Sequence, residues 1–392
     1  MKPLKLVVVG TATSNPYAGL AWMHMQIVLG LMRLGHDVYY FEIASNWPYD
    51  PVREGPVDDS NYALPYLERL VHGFGIADRW AYRRSYSDRE WFGLPKVTAE
   101  SLLSCADAVI NVSGATDFVD EGLKIGPLVY LGTDPVGHEV DYFNGNPKTR
   151  ALVDQHDLIA TYGENIGTPY SAIPPLPRLR ARTRQPVLLD FWDIGATKQR
   201  GFTTVCNWSG VGEVEFQGEK YFWGKDREFM KFIDLPYRID RPIELAMGLS
   251  YIPAETRATL MSHGWQLTDA HAMTLDPWPY RDYVCSSAGE FTVAKDQNVR
   301  LRSGWFSERS ACYLAAHRPV ITQNTGFGTV LPTGEGLFAF DTMDEILAAF
   351  DSILSDYRRH SRAARAIAEE YFRAETVLSK LLSDLGLCAS AS

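Results

Sequence analysis

The sequence has no hydrophobic run long enough to cross a bilayer, so we expect no membrane-spanning helix. The apolar run at residues 6–9 ends at Gly10 without the cleavage site of a signal peptide, and we interpret it as the first buried strand. Cysteine is scarce: Cys105, Cys206, Cys285, Cys312 and Cys388 are scattered, with no CxxC or Cys/His cluster for zinc. We therefore expect a reducing, cytoplasmic location and no metal site.

Basic residues are outnumbered, with 38 Lys and Arg against 48 Asp and Glu, which gives a net charge of -10. Binding a phosphate backbone needs basic surface, so we predict that nucleic acid is not a partner. The GxGxxG and GxxxxGK[ST] patterns are both missing, which argues against a nicotinamide enzyme and a phosphate-loop NTPase. The sequence carries no signal for an oligomeric state.

What the sequence does contain is an alternation of strand and helix patterns. Residues 4–9 form a β-rich run, residues 20–34 have helical spacing that stops at Gly35, and residues 37–41 return to a strand pattern. This order predicts a βαβ unit with a parallel sheet. The alternation resumes after residue 186, with strands predicted at 186–191, 203–208 and 243–249 and helices at 224–234, 253–263, 276–286 and 342–354. We therefore predict two α/β domains.

A segment rich in proline and arginine separates these two halves. Residues 173–186 hold four prolines and four arginines without periodicity, which favours an interdomain linker. The predicted domains are 1–180 and 187–356. A helical tail at 357–392 is predicted to cross back onto the first domain.

The most informative stretch is 288–332. A strand at 291–294 leads into a polar loop with Lys295 and Arg302, and a helix opens at Ser307 before a buried strand at 319–322 and a glycine turn at 324–328. A helix start offers unpaired N–H groups and a positive dipole, and nearby cations add charge, so this segment is a candidate diphosphate site. The alternative is that Ser307 is an ordinary N-cap with nothing bound.

Four residues are candidates for a general base. Asp117 and Asp134 each follow a strand and a glycine, which places them at the carboxyl edge of a parallel sheet, although turn chemistry explains both as well. His24 lies on the first helix, where a packed or surface histidine is the alternative, and His138 follows Asp134 closely.

Several of these segments resemble the donor-binding half of a GT-B glycosyltransferase. The resemblance is carried by residues 269–276, 280–286, 291–294, 306–321 with Arg318-Pro319-Val320-Ile321, 324–328 and Glu335-Gly336-Leu337, and in the first half by Gly35-His36-Asp37-Val38. The sequence looks closest to bacterial family-4-like and spore-coat-type enzymes. The resemblance implies two Rossmann-like domains facing each other across a cleft, an acceptor domain followed by a donor domain, and a C-terminal helix that crosses back.

The resemblance also implies which residues hold the nucleotide-sugar donor. They are Lys295, Arg302, Ser307, Glu308, Arg309, Ser310, Asn324, Thr325, Gly326 and Gly328. The retaining enzymes usually have two glutamates eight positions apart, and here Glu308 is followed by Cys312 and Ala316 instead of a second glutamate. The choice between an inverting and a retaining reaction therefore stays open.

These observations predict a metal-independent glycosyltransferase without a cofactor. It would move a sugar from a nucleoside-diphosphate sugar, such as a UDP-sugar, to a small or medium acceptor, with the nucleoside-diphosphate leaving group stabilised by cations and helix N–H groups. Two alternatives remain: a nucleotide-sugar epimerase on the same fold, and a non-catalytic partner protein of a transferase.

Overall fold

The computed structural model describes residues 2–195, 200–210 and 212–387. Within them, two sheets of mostly parallel strands are flanked by helices, which confirms the predicted α/β class. The predictions on residues 196–199 and 388–392, which include Cys388 and the end of the tail, lie outside the described residues.

The first half is built on an eight-stranded sheet. The strands of this half are β1 (Lys5–Val9), β2 (Asp37–Ile43), β3 (Tyr49–Asp50), β4 (Gly55–Pro56), β5 (Trp80–Arg83), β6 (Trp91–Gly93), β7 (Ala108–Val112), β8 (Leu128–Gly132), β9 (Leu158–Thr161) and β10 (Leu179–Arg182). Of these, β3 and β4 form a separate two-stranded hairpin. The order is β10-β9-β8-β7-β1-β2-β5-β6, with only the β5–β6 pair antiparallel. The central β1 reads KLVVV because helices cover both sheet faces, and its last four residues are fully buried.

Six helices accompany this sheet. They are α1 (Ala18–Arg33), α2 (Ala63–Gly73), α3 (Lys96–Cys105), α4 (Phe118–Glu121), α5 (Gly137–Phe143) and α6 (Pro147–Asp154). The opening βαβ unit is confirmed, because β1 and β2 pair in parallel on either side of α1 along the chain. Gly35 adopts a φ of 86° just after this helix, a left-handed conformation that glycine accepts without strain.

The second half contains a six-stranded sheet in the order β15-β14-β11-β16-β17-β18, with every neighbouring pair parallel. The strands of this half are β11 (Phe202–Val205), β12 (Glu213–Phe216), β13 (Glu219–Phe222), β14 (Ile243–Met247), β15 (Gln266–Asp269), β16 (Gly289–Thr292), β17 (Val320–Gln323) and β18 (Leu337–Phe340). Strands β12 and β13 form an antiparallel hairpin outside the sheet. Side chains of this hairpin join Val136 and Val140, at α5, in one apolar cluster, so the hairpin bridges the two halves.

The helices of the second half follow the predicted pattern in outline. They are α7 (Asp226–Met230), α8 (Leu235–Arg238), α9 (Ala254–Ser262), α10 (His271–Thr274), α11 (Pro277–Ser286), α12 (Asp296–Arg300), α13 (Glu308–Ala315), α14 (Met343–Ser355), α15 (Tyr357–Ile367) and α16 (Ala374–Asp384). Thr342 and Glu345 form a capping box at the start of α14, and Asp276 caps α11 through the backbone N–H of Trp278.

The proline- and arginine-rich segment is not a free linker. Its residues 179–182 form β10 at the edge of the first sheet. The Arg182 guanidinium donates to the Ile166 carbonyl at 2.6 Å, and Arg184 forms an ion pair with Glu164 at 2.6 Å. The arginines therefore tie this segment to the first half, a pairing that composition could not reveal.

Three local predictions are also wrong. Residues 186–191 were expected as a strand, but Leu189–Trp192 is a 3₁₀-helix and only Val187 makes a bridge. Of the helix expected at 224–234 only α7, Asp226–Met230, is formed, and the separate short helix α8 begins at Leu235 with a proline in its first turn. The polar loop expected after residue 294 contains the short helix α12.

The C-terminal tail crosses back onto the first half, as the resemblance implied. Helix α16 packs along α1, and Gly30 makes the close approach possible. A Cβ at Gly30 would lie 2.5 Å from Leu378 Cδ1 and 3.0 Å from Ala374 Cβ. The tail thereby joins the last helix of the second half to the first helix of the chain.

Candidate functional site

The loops that follow the strands of the two sheets face each other. Asp134, just after β8, forms an ion pair with Lys295, which lies just after β16. The Trp305 indole Nε1 donates to the Thr133 carbonyl at 3.0 Å. Because ligands of parallel sheets bind outside the carboxyl ends of the strands, these contacts mark a closed cleft between two candidate binding edges.

A small pocket lies at the start of α13, and we call it the strand-end pocket. Its cavity volume is about 10 Å³, room for about one water molecule. The lining residues are Lys225, Thr292, Val293, Ala294, Trp305, Phe306, Ser307, Arg309, Thr322, Gln323, Thr325 and Phe327. All of them belong to the second half, so a ligand as large as a sugar nucleotide would require the cleft to open.

Arg309 is a buried cation of this pocket with a complete set of partners. Its guanidinium forms an ion pair with Glu290 and donates to the Val205 carbonyl at 2.7 Å and the Thr292 hydroxyl at 3.0 Å. Burial opposes the charge, but the Glu290 carboxylate holds the pKa of Arg309 above its usual value. Arg309 is therefore fixed and charged before any ligand arrives.

Lys225 is a second basic residue of this pocket, and it has one long hydrogen bond. Lys225 is 8% exposed, and among the described residues its Nζ donates only to the Thr292 hydroxyl, at 3.4 Å. In the described part of the chain no carboxylate lies within ion-pair distance of it. Burial, and then the charge of Arg309, lower the pKa of Lys225 to about 7. The amine of Lys225 is therefore only partly protonated at neutral pH, and an anionic ligand beside it would favour the charged form.

The start of α13 is not closed by its own cap. Ser307 is the N-cap by backbone conformation, but its hydroxyl accepts no hydrogen bond from the first turn. The Ser310 hydroxyl is buried and has no hydrogen-bond partner. The uncapped N–H groups and the positive dipole end of α13 therefore add to the two cations in the pocket.

Glu308 is the first residue of α13 and turns toward the first half. Its Oε1 accepts from the Gln26 amide at 3.3 Å and lies 3.6 Å from the Cys312 thiol. Burial raises the pKa of Glu308 to about 8. At neutral pH this carboxyl is therefore largely protonated and adds little negative charge beside the pocket.

Lys295 and Arg302 do not line the strand-end pocket. Lys295 contacts Asp134 across the cleft, whereas the Arg302 guanidinium lies 3.6 Å from Asp341 and is 45% exposed. The amide of Asn165 donates to the carbonyls of Arg302 and Gly326, at 3.1 Å each, and holds this loop against the first half. The structure thus brings Lys295 to the cleft but directs Arg302 away from α13.

The glycine turn after β17 contributes Thr325 and Phe327 to the lining of the strand-end pocket. Thr325 lines the pocket and donates from its hydroxyl to the Trp305 carbonyl. Asn324 donates to Asp341 at 2.8 Å and accepts from the Gly326 backbone at 3.0 Å, so it shapes the turn. Gly326 has a φ of 90°, while Gly328 lies in a short 3₁₀-helix outside the pocket lining.

His24 is packed inside the first half. Its Nδ1 donates to the Leu20 carbonyl at 2.7 Å, and its Nε2 accepts from the Thr11 backbone at 3.3 Å. Burial lowers the pKa of His24 to about 4. Both nitrogens are engaged in holding the loop after β1, so in this conformation neither is free for a substrate.

Asp117 caps a short helix. Its Oδ1 accepts from the backbone N–H groups of Val119 and Asp120, at 3.1 and 3.4 Å, and from the Gln155 amide at 3.2 Å. The turn interpretation weighed from the sequence describes this geometry.

Asp134 and His138 lie at the facing edge of the first half. Asp134 pairs with Lys295, and His138 lies in the first turn of α5 with its Nδ1 against the Tyr130 hydroxyl. Burial lowers the pKa of His138, which keeps the imidazole neutral near pH 7.

Sequence reasoning missed Lys225, Thr292 and Trp305. Lys225 stands alone between Gly224 and a short helix, and no motif marks it. Trp305 offered a weak signal as an aromatic residue two positions before the predicted helix start. These residues reach the pocket only because β11, β16 and α13 pack together.

No known protein family and no curated protein matches the chain in sequence. Two Rossmann-like halves that face each other across a cleft define the GT-B fold of glycosyltransferases. Solved glycosyltransferase structures are similar in fold to nearly the whole chain. An α-glucosyltransferase in complex with UDP-glucose and DNA containing an abasic site is similar over 98% of this chain and 100% of its own, with a TM-score of 0.60 and 11% identity. HepE from Anabaena, in complex with UDP and glucose, covers the same shares at a TM-score of 0.57 and 10% identity. AviGT4, a glycosyltransferase involved in avilamycin A biosynthesis, covers 98% and 97% at a TM-score of 0.53 and 13% identity.

The prediction that excludes nucleic acid as a partner is wrong. The α-glucosyltransferase, which has the same fold, is solved in complex with DNA. The prediction was drawn from a net charge of -10, and net charge sums the whole surface without locating any basic patch.

Two features are absent from the described residues. No group of three or more His, Cys, Asp or Glu side chains there is arranged to hold a metal ion. None of the helices described for this chain combines the length and the hydrophobicity needed to cross a bilayer.

Proposed function

We propose that this chain is a glycosyltransferase that binds a UDP-sugar with its diphosphate at the strand-end pocket. The observation that carries the proposal is the pair of basic side chains, Lys225 and Arg309, at the uncapped start of α13. Lys225 has no carboxylate partner in the described residues, and a diphosphate would supply the missing negative charge. Similar structures that hold UDP or UDP-glucose support this choice of donor.

The same cations would perform the charge stabilisation that the reaction needs. When the sugar is transferred, its bond to the diphosphate breaks and negative charge develops on the leaving oxygen. Lys225, Arg309 and the N–H groups of α13 would stabilise that charge from fixed positions. Metal independence is part of this proposal, because side chains would supply the positive charge.

The acceptor hydroxyl would be presented by the first half. Asp134 contacts Lys295 of the second half, and His138, four residues further along the chain, has a neutral imidazole that is able to take a proton. We assign deprotonation of the acceptor to one of these two residues. An acceptor of small or medium size is part of this proposal.

Calorimetric titration with UDP tests the proposal. Lys225→Met should weaken UDP binding by roughly 10- to 150-fold, because a hydrogen bond to a charged group contributes about 1.5–3 kcal/mol. Lys220→Met is the matched control, since Lys220 is 57% exposed and pairs with Glu213 on the β12–β13 hairpin. Equal affinity in both variants would overturn the proposed site.

Product analysis with UDP-sugars separates the two alternatives. Transfer to water or to an added acceptor supports the glycosyltransferase. An isomerised sugar without transfer would assign an epimerase, and no binding of any nucleotide sugar would favour a non-catalytic partner protein.

A further inference from the structure

A strained turn joins β8 to α5, and we call residues 134–138 the β8–α5 turn. It contains Asp134 and His138, between which the proposed function leaves deprotonation of the acceptor. Val136, in the middle of the turn, has a φ of 92° and a ψ of -54°, close to the angles of the rare γ-turn with positive φ. A β-branched residue adopts such a conformation only where the surrounding structure imposes it.

The β8–α5 turn lies directly against the second half. Asp134 forms an ion pair with Lys295. A Cβ at Gly137 would lie 2.9 Å from Trp223 Cζ2, so a glycine is needed for the close approach at that point. A shift of the turn would therefore change the position of Asp134 relative to the second half.

Two contacts hold Val136 in its strained conformation. Its side chain is fully buried in an apolar cluster that includes Ile166 of the first half and Leu301 of the second. Its backbone N–H donates to Glu139 Oε2 at 2.9 Å. A valine has no polar side-chain atom with which to cap α5, so the polar contact that fixes the start of this helix comes from Glu139.

Glu139 is held firmly in the first turn of α5. It is 3% exposed, so its carboxyl has little freedom to move away. The Val136 carbonyl accepts from the Val140 backbone at 2.9 Å, so the same turn of helix holds both polar groups of the Val136 backbone. Loss of the Glu139 contact would release the backbone between Asp134 and His138.

We propose that Glu139 is a positioning residue for the transfer reaction. By accepting from the Val136 N–H, it keeps the β8–α5 turn in the strained conformation that sets the positions of Asp134 and His138. Glu139 touches no substrate in this role and acts only through these two residues. The inference rests on the proposed function, which assigns deprotonation of the acceptor to one of them.

Three substitutions separate the hydrogen bond from the other effects of changing this residue. Glu139→Gln keeps an oxygen acceptor at the same reach, Glu139→Met removes the acceptor at a similar length, and Glu139→Asp shortens the side chain by one methylene. Because a misplacement of about 1 Å can slow a reaction about 100-fold, we expect Glu139→Met and Glu139→Asp to lower kcat about 10- to 100-fold. Glu139→Gln should retain the kcat of the unmodified chain.

Two further readings show whether the loss is one of positioning. The affinity for UDP should stay the same in all three variants, because Lys225 and Arg309 belong to the second half. Asn146→Ala is the matched control, since it removes the side-chain cap of the neighbouring helix α6 and should leave kcat unchanged.

A second measurement does not depend on turnover. His138 Nδ1 lies against the Tyr130 hydroxyl, whereas His24 holds the loop after β1. In protein with isotope-labelled histidine, Glu139→Met should shift the imidazole NMR signals of His138 and leave those of His24 in place.

An unchanged kcat in Glu139→Met, or equal losses in Glu139→Gln and Glu139→Met, would overturn the inference, and so would His138 signals that do not move. If Glu139→Met does not fold, the comparison of Glu139→Gln with Glu139→Asp decides by the same criteria. An unmodified chain that transfers no sugar would instead contradict the proposed function, and the His138 signals would still show whether Glu139 fixes the turn.

Discussion

The strand ends of the two halves carry different kinds of polar group. In the second half, Lys225 and Arg309 are basic side chains beside the start of α13. In the first half, the facing edge carries the exposed carboxylate of Asp134 and the neutral imidazole of His138. The proposed function accordingly assigns anion binding to the second half and proton transfer to the first.

The largest expected effect comes from removing Glu290, the counter-ion of Arg309 in the second half. Glu290→Gln leaves the Arg309 charge buried with neutral partners only, and we expect a loss of about 3–5 kcal/mol in the free energy of unfolding. Glu213→Gln, which breaks the exposed pair with Lys220, should leave the free energy of unfolding nearly unchanged, because solvent screens that pair. Urea denaturation measures both. Similar losses in the two variants would show that the Glu290–Arg309 pair contributes no more to stability than an exposed ion pair does.

A second test uses pH at the boundary between the halves. Burial raises the pKa of Glu308 from 4.5 to about 8 in the folded state. Between these two pH values the folded state holds a proton on Glu308 that the unfolded state has lost, so the free energy of unfolding falls as pH rises. Glu308→Gln should therefore gain thermal stability relative to the unmodified chain at pH 8, with the difference vanishing near pH 5. Melting temperatures across this range give the answer. A constant difference at all pH values would show that Glu308 does not titrate in this window.

The smallest expected effects are those of replacing Asp117 and Asp134 in the first half, which should differ between stability and transfer rate. Asp117→Ala removes a helix cap and should cost about 1 kcal/mol of stability with the transfer rate unchanged. Asp134→Ala, at the facing edge, should lower the transfer rate with little loss of stability beyond its half-exposed ion pair. Transfer assays and denaturation on both variants check this. A slow Asp117→Ala enzyme of normal stability would reverse the assignment.

The fold could be predicted because its signals are local. The apolar run of β1, the glycine after α1 and the capping box of α14 each specify an element within a few residues, and all three are present. The predicted linker failed because β10 depends on pairing with β9, a contact between segments that composition does not encode.

The candidate site could be predicted only in part. The start of α13, with Ser307 and Arg309, follows from the sequence as a helix start behind a basic segment. Arg302 was expected beside it, but a left-handed backbone with φ of 50° after α12 directs the side chain toward Asp341. Lys225 was missed because a single lysine has no pattern.

The sequence by itself determined the two α/β halves, the helix that opens at residue 308 and the return of the C-terminal tail. Only the tertiary structure decided which charges meet there, because Lys225 and Arg309 are far apart in the chain and become neighbours through the packing of β11, β16 and α13. Secondary structure follows from short-range periodicity, whereas the electrostatics of a buried site depends on which distant segments exclude water together.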